Sequence, residues 1–160
     1  MGDRGPCEFE EVFRDEYERV FRLAFVILGD EGDAADVTQE AFVRLFRRWK
    51  RVRTYEHIRA WVRRVAVHEA LRVSRKRRQP TVPPGVEDRD HAQRLDVHAA
   101  VMRLAPMQRA CIALYYLDDR PVAEVSSLLG ASPATVRVHL HRGRERLAQM
   151  LGKELDDVAG

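Results

Sequence analysis

The chain holds only two cysteines, Cys7 and Cys111, far apart and in no pair motif. This excludes a disulfide framework and a thiolate metal site, and it fits a reducing cytoplasm where a buried thiol acts as a small hydrophobe. No apolar run approaches the roughly 20 residues of a membrane span, and the acidic N-terminus lacks a signal-peptide pattern. No membrane insertion is expected, and the protein reads as cytoplasmic. Aromatic residues make up just 8% of the chain. HExxH, P-loop and nucleophile-elbow motifs are missing. His139 and His141 stand two apart in a helical pattern and point in different directions, while His91 and His98 have no thiolate partners. Glu69 falls on the apolar side of its segment, placed to pair with a basic neighbour and without a second carboxylate for acid–base work. Neither a metal, nor a cofactor, nor catalysis is expected.

What is present is charge, unevenly spread. Charged residues make up 33% of the chain, yet the net charge is only +3. Acids are frequent from Glu8 to Glu40, bases dominate from Arg44 to Arg78, and a second basic cluster spans Arg137 to Arg146. The small total would not mark a nucleic-acid binder; the segregation points to several macromolecular contacts.

Strand alternation is nowhere sustained, and helical period recurs throughout, so the fold class is all-α. Phe9, Val12, Phe13, Tyr17, Val20, Phe21, Ala24 and Phe25 predict a first amphipathic helix, closed by a turn at Gly29 to Gly32. A second helix is predicted from Asp33 to Lys50 on the stripe Val37, Ala41, Leu45 and Trp49, broadened by Phe42 and Phe46; a third runs from Glu56 to about Arg78. Pro80, Pro83, Pro84 and Gly85 then break the pattern, and residues 79–94 read as a linker, the alternative being a long loop within one domain. Four more helices follow. The first spans Leu95 to Leu104, and the second opens at Pro106 and runs to about Leu117. After a turn at Asp118-Asp119-Arg120, Pro121 opens the third and Gly130 ends it; Ser132 caps the last, with Pro133 at its first position. The expected architecture is two small helical domains, 7–78 and 95–152, joined by a flexible linker.

Two faces carry chemistry. Pro121 to Leu147 has the layout of a helix-turn-helix, whose second helix enters a DNA major groove. Val136, Leu140, Gly143, Leu147 and Met150 form its inward seam. Arg137, His141 and Arg144 then lie on one flank and Arg142 and Arg146 on the other, with Val138 facing outward between them. Arginine pairs with guanine O6 and N7, an apolar group touches a thymine methyl, and the later cations hold phosphates. The bland alternative is a helical hairpin with surface charges. On the third helix, Trp61, Arg64, His68, Arg72 and Arg75 cluster within about 80°, beside the apolar side of Ile58, Val62, Val65, Ala66 and Val73. Tyr55 adjoins this face and Lys76 extends it. Such a face is either a solvated basic surface or a platform for unpaired nucleic acid, with cations on phosphates and planar groups stacked on bases.

Two separated stretches resemble one family. Gly32 to Trp49, GDAADVTQEAFVRLFRRW, is similar to the A-x-D-x-x-Q-E-x-F helix of bacterial RNA polymerase sigma factors, and Arg59 to Ala66, RAWVRRVA, continues the pattern. Thr135 to Leu147, TVRVHLHRGRERL, resembles the recognition helix of sigma region 4. With only these two domains, the chain is identified as similar to the extracytoplasmic-function group (group IV) of the sigma-70 family, in a SigE-like subset. The resemblance implies a sigma2 domain in the N-terminal half. There Asp36, Gln39, Glu40 and Arg44 would dock on the coiled coil of the polymerase's largest subunit. The segment holding Tyr55, Trp61, Arg64, His68, Arg72, Arg75 and Lys76 would recognise and melt the minus-10 element. It implies a sigma4 domain that reads the double-stranded minus-35 element, which on the helix-turn-helix assigns Ser132, Thr135, Arg137, Val138, His141, Arg142 and Arg144. It also implies an anti-sigma protein as partner. His68 stands where many members have asparagine, His139 where arginine is frequent, and Gly143 where alanine is frequent. The competing reading is a free-standing dimeric helix-turn-helix regulator with palindromic half-sites about one DNA turn apart.

Overall fold

A computed structural model describes residues 5–77 and 97–152, with side chains from Glu8 onward in the first stretch. The linker expected at 79–94 lies outside the described residues. Within them every regular element is a helix: α1 Gly5–Leu28, α2 Glu31–Arg47, α3 Trp49–Val52, α4 Ile58–Lys76, α5 at 97–102, α6 Pro106–Ile112 continued by a π turn Ala113–Leu117, α7 Val122–Leu129 and α8 Pro133–Leu151.

The N-terminal half is a bundle of α1, α2 and α4. Val12, Val20, Leu23, Ala24 and Ile27 turn inward from α1; Val37, Ala41, Phe42 and Leu45 from α2; Val62, Ala66, Val67 and Ala70 from α4. Gly29 closes α1 in the left-handed region at φ 71°. Asp30 then caps α2, its carboxylate accepting from the Asp33 amide at 2.9 Å. The helix expected to run unbroken to Lys50 breaks at Arg48 (φ −105°, ψ 12°) and restarts as the single turn α3. Thr54 closes that turn by donating its hydroxyl to the Arg51 carbonyl at 2.7 Å. The third predicted helix is shorter at both ends, Ile58–Lys76.

In the C-terminal half, α8 packs across α6 and α7. Gly143 makes the crossing close: a Cβ there would lie 3.2 Å from Ile112 Cγ1. The seam glycine therefore serves helix approach, which offsets its unfavourable helix propensity of about 1 kcal/mol. The π turn was not legible in the periodicity. It inserts a residue of extra phase, and the Asp118 amide donates to the Ala113 carbonyl five residues back at 3.1 Å. The next side chain, Asp118, is thereby directed inward, and it is 1% exposed.

The two helical groups predicted from the sequence are present, and they pack on one another along α1 and α4. Their buried apolar residues form one continuous core. Phe25 stacks on His98 with ring centres 5.3 Å apart, Met102 lies over Gly29 where a Cβ would meet its sulfur at 2.5 Å, and Arg109 donates to Ser74 Oγ at 2.7 Å.

Candidate nucleic-acid interface

The helix-turn-helix forms as its punctuation dictates. Gly130 ends α7 at φ 65°, a conformation that costs a residue with a Cβ about 1–2 kcal/mol. Ser132 caps α8 by accepting from the Thr135 amide at 3.1 Å, and its hydroxyl also bonds that of Thr135 at 2.8 Å. Ser126 Oγ donates to the Ala131 carbonyl at 2.5 Å and fixes the turn. Val125, Leu128, Leu129, Val136 and Leu140 are buried, which locks α8 to α7. Ser132, Thr135, Arg137, Val138, His141, Arg142 and Arg144 are all exposed on α8 and its cap. Arg144 is steadied by donating to the Tyr116 hydroxyl at 3.1 Å, and His141 lies 3.3 Å from Glu145. His139 is half-buried and its Nδ1 has no hydrogen-bond partner.

The α4 face is built differently. Arg64, His68, Arg72, Arg75 and Lys76 are exposed, Tyr55 is exposed just before the helix, and Trp61 is half-buried against the core. The basic face predicted from the wheel is therefore assembled, but not all of it is free. His68 Nε2 lies 2.9 Å from the Leu128 carbonyl of α7, a contact that requires the proton on Nε2. Arg72 grips Glu69 with two hydrogen bonds of 2.5 and 3.1 Å. Arg44 donates to Glu69 at 3.3 Å and to Glu40 at 2.8 Å, so the helix assigned to polymerase docking is tied to the helix assigned to DNA. The hydrogen bond from Arg72, followed by the Coulomb attraction of Arg72 and Arg44, holds the Glu69 carboxyl below its ordinary range against the opposing effect of burial. A cleft of about 580 Å³ separates Tyr55, Trp61 and Arg64 from Arg120, Glu124, Ser127 and Leu128.

On α2, Asp36 and Gln39 are exposed and Glu40 and Arg44 half-buried, in one strip that faces away from the core. Phe46, 67% exposed, continues this helix surface.

Sequence reasoning missed the buried ion pairs. Arg63 and Glu16 are 4% and 2% exposed and meet through two parallel hydrogen bonds of 2.8 Å. A signal was available: Glu16 sits four residues from both Val12 and Val20, and Arg63 four before Val67, so each charge interrupts an apolar stripe. Asp118 joins them from the other half, 3.6 Å from Arg63, 3.3 Å from Arg19 and 2.9 Å from Arg120. Among the described residues, no group of three or more His, Cys, Asp or Glu is placed to hold a metal ion. Burial pushes the Cys111 thiol up to about 11, which makes it a poor nucleophile. No described helix is long and apolar enough to cross a membrane.

Comparison with known proteins matches both halves. Residues 12–79 match the family profile Sigma-70 region 2, and residues 94–147 match Sigma-70, region 4. The chain is 32% identical to the ECF RNA polymerase sigma factor SigE of Mycolicibacterium smegmatis, over 99% of this chain and 67% of that one. It is also 32% identical to the RNA polymerase sigma-E factor of Streptomyces antibioticus, over 94% of this chain and 88% of that one. Among solved structures, it is similar to the sigma factor RpoE in complex with the anti-sigma factor NepR from Bartonella quintana. The TM-score there is 0.74 at 16% identity, covering 90% of this chain and 96% of that one.

Proposed function

The chain belongs to the sigma-70 family of RNA polymerase sigma factors, in the extracytoplasmic-function group, and we propose which of its faces performs each part of promoter recognition. A factor of this kind is not an enzyme: it binds RNA polymerase and DNA and directs the polymerase to promoters. In our reading α8 enters the major groove at the minus-35 element. Arg137, His141 and Arg144 line one flank and Arg142 the other, with Val138 at the tip for a thymine methyl and Ser132 and Thr135 at the helix start near a phosphate. The observation that carries this assignment is that all seven side chains stand exposed on a helix whose opposite face is fixed by burial.

The minus-10 element falls to α4. Trp61 and Tyr55 offer stacking surfaces beside Arg64, and Arg72, Arg75 and Lys76 follow the phosphates of the melted strand. Extruding a base costs a few kcal/mol, which such a platform offsets. Asp36, Gln39, Glu40 and Arg44 on α2 dock on the coiled coil of the polymerase's largest subunit. The chain works in the cytoplasm, where an anti-sigma protein holds it until released. That partner is supported by the similarity to a sigma factor solved with its anti-sigma factor.

Reconstitution with core polymerase tests the whole reading. Promoter-specific transcripts from genomic fragments are expected only when the chain is added. Tight binding of the chain alone to a palindrome, with no transcript from any fragment, would instead establish a dimeric regulator.

A further inference from the structure

Tyr116 has no role in the assignments above, yet its hydroxyl meets a side chain that does. It lies on the π turn Ala113–Leu117, is 48% exposed, and stands edge-on to Tyr115 with ring centres 4.9 Å apart. Its hydroxyl accepts from Arg144 of α8 at 3.1 Å, across 28 residues of chain. Gly143 makes this meeting possible. The residue just before Arg144 lies so close to Ile112, next to the π turn, that a Cβ there would stand 3.2 Å from Ile112 Cγ1. Among the described residues no carboxylate pairs with Arg144, and the neighbouring Glu145 lies against His141 instead.

The pair is rich in donors. A phenol that accepts from a guanidinium still has its own proton to donate, and the guanidinium has further N–H groups. Side by side at the surface, one positive charge and two kinds of donor complement the anionic oxygens of a phosphate diester. Position along α8 points the same way. Arg137 and Arg144 are seven residues apart, which places them on one flank and about 10 Å apart along the helix axis. The major groove is about 8.5 Å deep, so when the first turns of α8 reach base edges, Arg144 stands at the level of the backbone.

We propose that the Tyr116 hydroxyl and Arg144 together bind one backbone phosphate of the minus-35 duplex, a contact made partly from outside the recognition helix. The proposal rests on the sigma-factor reading above. Tyr116 holds the guanidinium in place before DNA arrives, so less side-chain freedom is lost on binding, a gain of about two- to tenfold in affinity. The clamp fixes the orientation of α8 in the groove and carries no base preference of its own.

The test uses the full chain assembled with core polymerase, as wild type, Tyr116→Phe, Arg144→Ala and the double variant. The probes are promoter fragments retained by the wild-type holoenzyme from a genomic pool, and dissociation constants are read over a KCl series. Tyr116→Phe removes one exposed hydroxyl, so thermal melting of the free chain should match wild type. Its binding should weaken by about three- to tenfold on every fragment. Arg144→Ala should weaken binding at least as much and lower the slope of log K against log [KCl] by about 0.9, the share of one phosphate. The double variant should bind within about twofold of Arg144→Ala, because the two groups act as a unit. Ethylation interference should show both single variants losing dependence on the same phosphate. Wild-type affinity in Tyr116→Phe, losses that multiply in the double variant, or a loss tied to one base identity would each overturn the clamp. If Tyr116→Phe melts lower than wild type, the ethylation pattern decides, and an unchanged set of phosphates overturns it. A wild-type holoenzyme that retains no fragment refutes the sigma reading and the clamp with it.

Discussion

The two helices proposed to read DNA, α8 and α4, differ in what surrounds them. On α8 the reading side chains project from a helix whose geometry is set within some thirty residues, by Gly130, the Ser132 cap and the Val125–Val136–Leu140 packing. On α4 the reading face adjoins residues from distant parts of the chain: Glu69 shared by Arg44 and Arg72, and His68 bonded to Leu128. A reader specified locally is available wherever its domain is folded. A reader specified by tertiary contacts changes availability when those contacts change.

Removal of Arg63 breaks the contrast most severely. Arg63→Ala leaves Glu16 and Asp118 buried with fewer cations. Loss of one partner of a buried pair costs about 3–5 kcal/mol, with the lower end expected here because Arg19, Arg59 and Arg120 remain nearby. Urea unfolding followed by circular dichroism should show a midpoint lowered accordingly. A change below about 1 kcal/mol would mean the pair is solvated.

Arg137→Ala tests the local reader. Binding to a minus-35 duplex should weaken by about 1–3 kcal/mol at one base position, with preference relaxed there and stability unchanged. Equal weakening on every sequence would restrict Arg137 to a phosphate contact.

The smallest effect concerns Glu69→Gln. Because the folded state depresses the Glu69 pKa, its ion pairs stabilise at pH values above the ordinary carboxylate pKa of about 4.3. That stabilisation is lost as pH falls through the lower folded value. Wild type should therefore be the more stable form at pH 7, and the two unfolding curves should converge under acid conditions. A constant difference across pH would assign the effect to packing.

How much was legible in the sequence follows the same division. The helix-turn-helix was readable because its determinants are local: Gly130 for the left-handed cap, Ser132 and Pro133 for the helix start, a seam at spacings of three and four. The basic side of α4 was readable for the same reason. The break at Arg48 was not, because Trp49 continues the apolar stripe of α2 and so extends the period past the point where the backbone turns. The Asp118 cluster was hidden twice over. Its partners lie far away in sequence, and the π turn that aims it inward leaves no mark in the pattern. Acids and bases counted in blocks were read as surfaces, and the members that matter most for the seam, Glu16 and Arg63, are buried.

The central claim is that α4 and α8 serve two separate elements of one promoter, which the two halves as packed here do not span. A dye pair at two exposed positions, Arg53→Cys on the N-terminal half and Gln149→Cys on α8, measures this directly by energy transfer. The free chain should give a single short distance, and the chain bound to core polymerase and a promoter fragment should give one longer by about 30 Å or more, given the ~85 Å between elements. The same distance in both states would contradict the account.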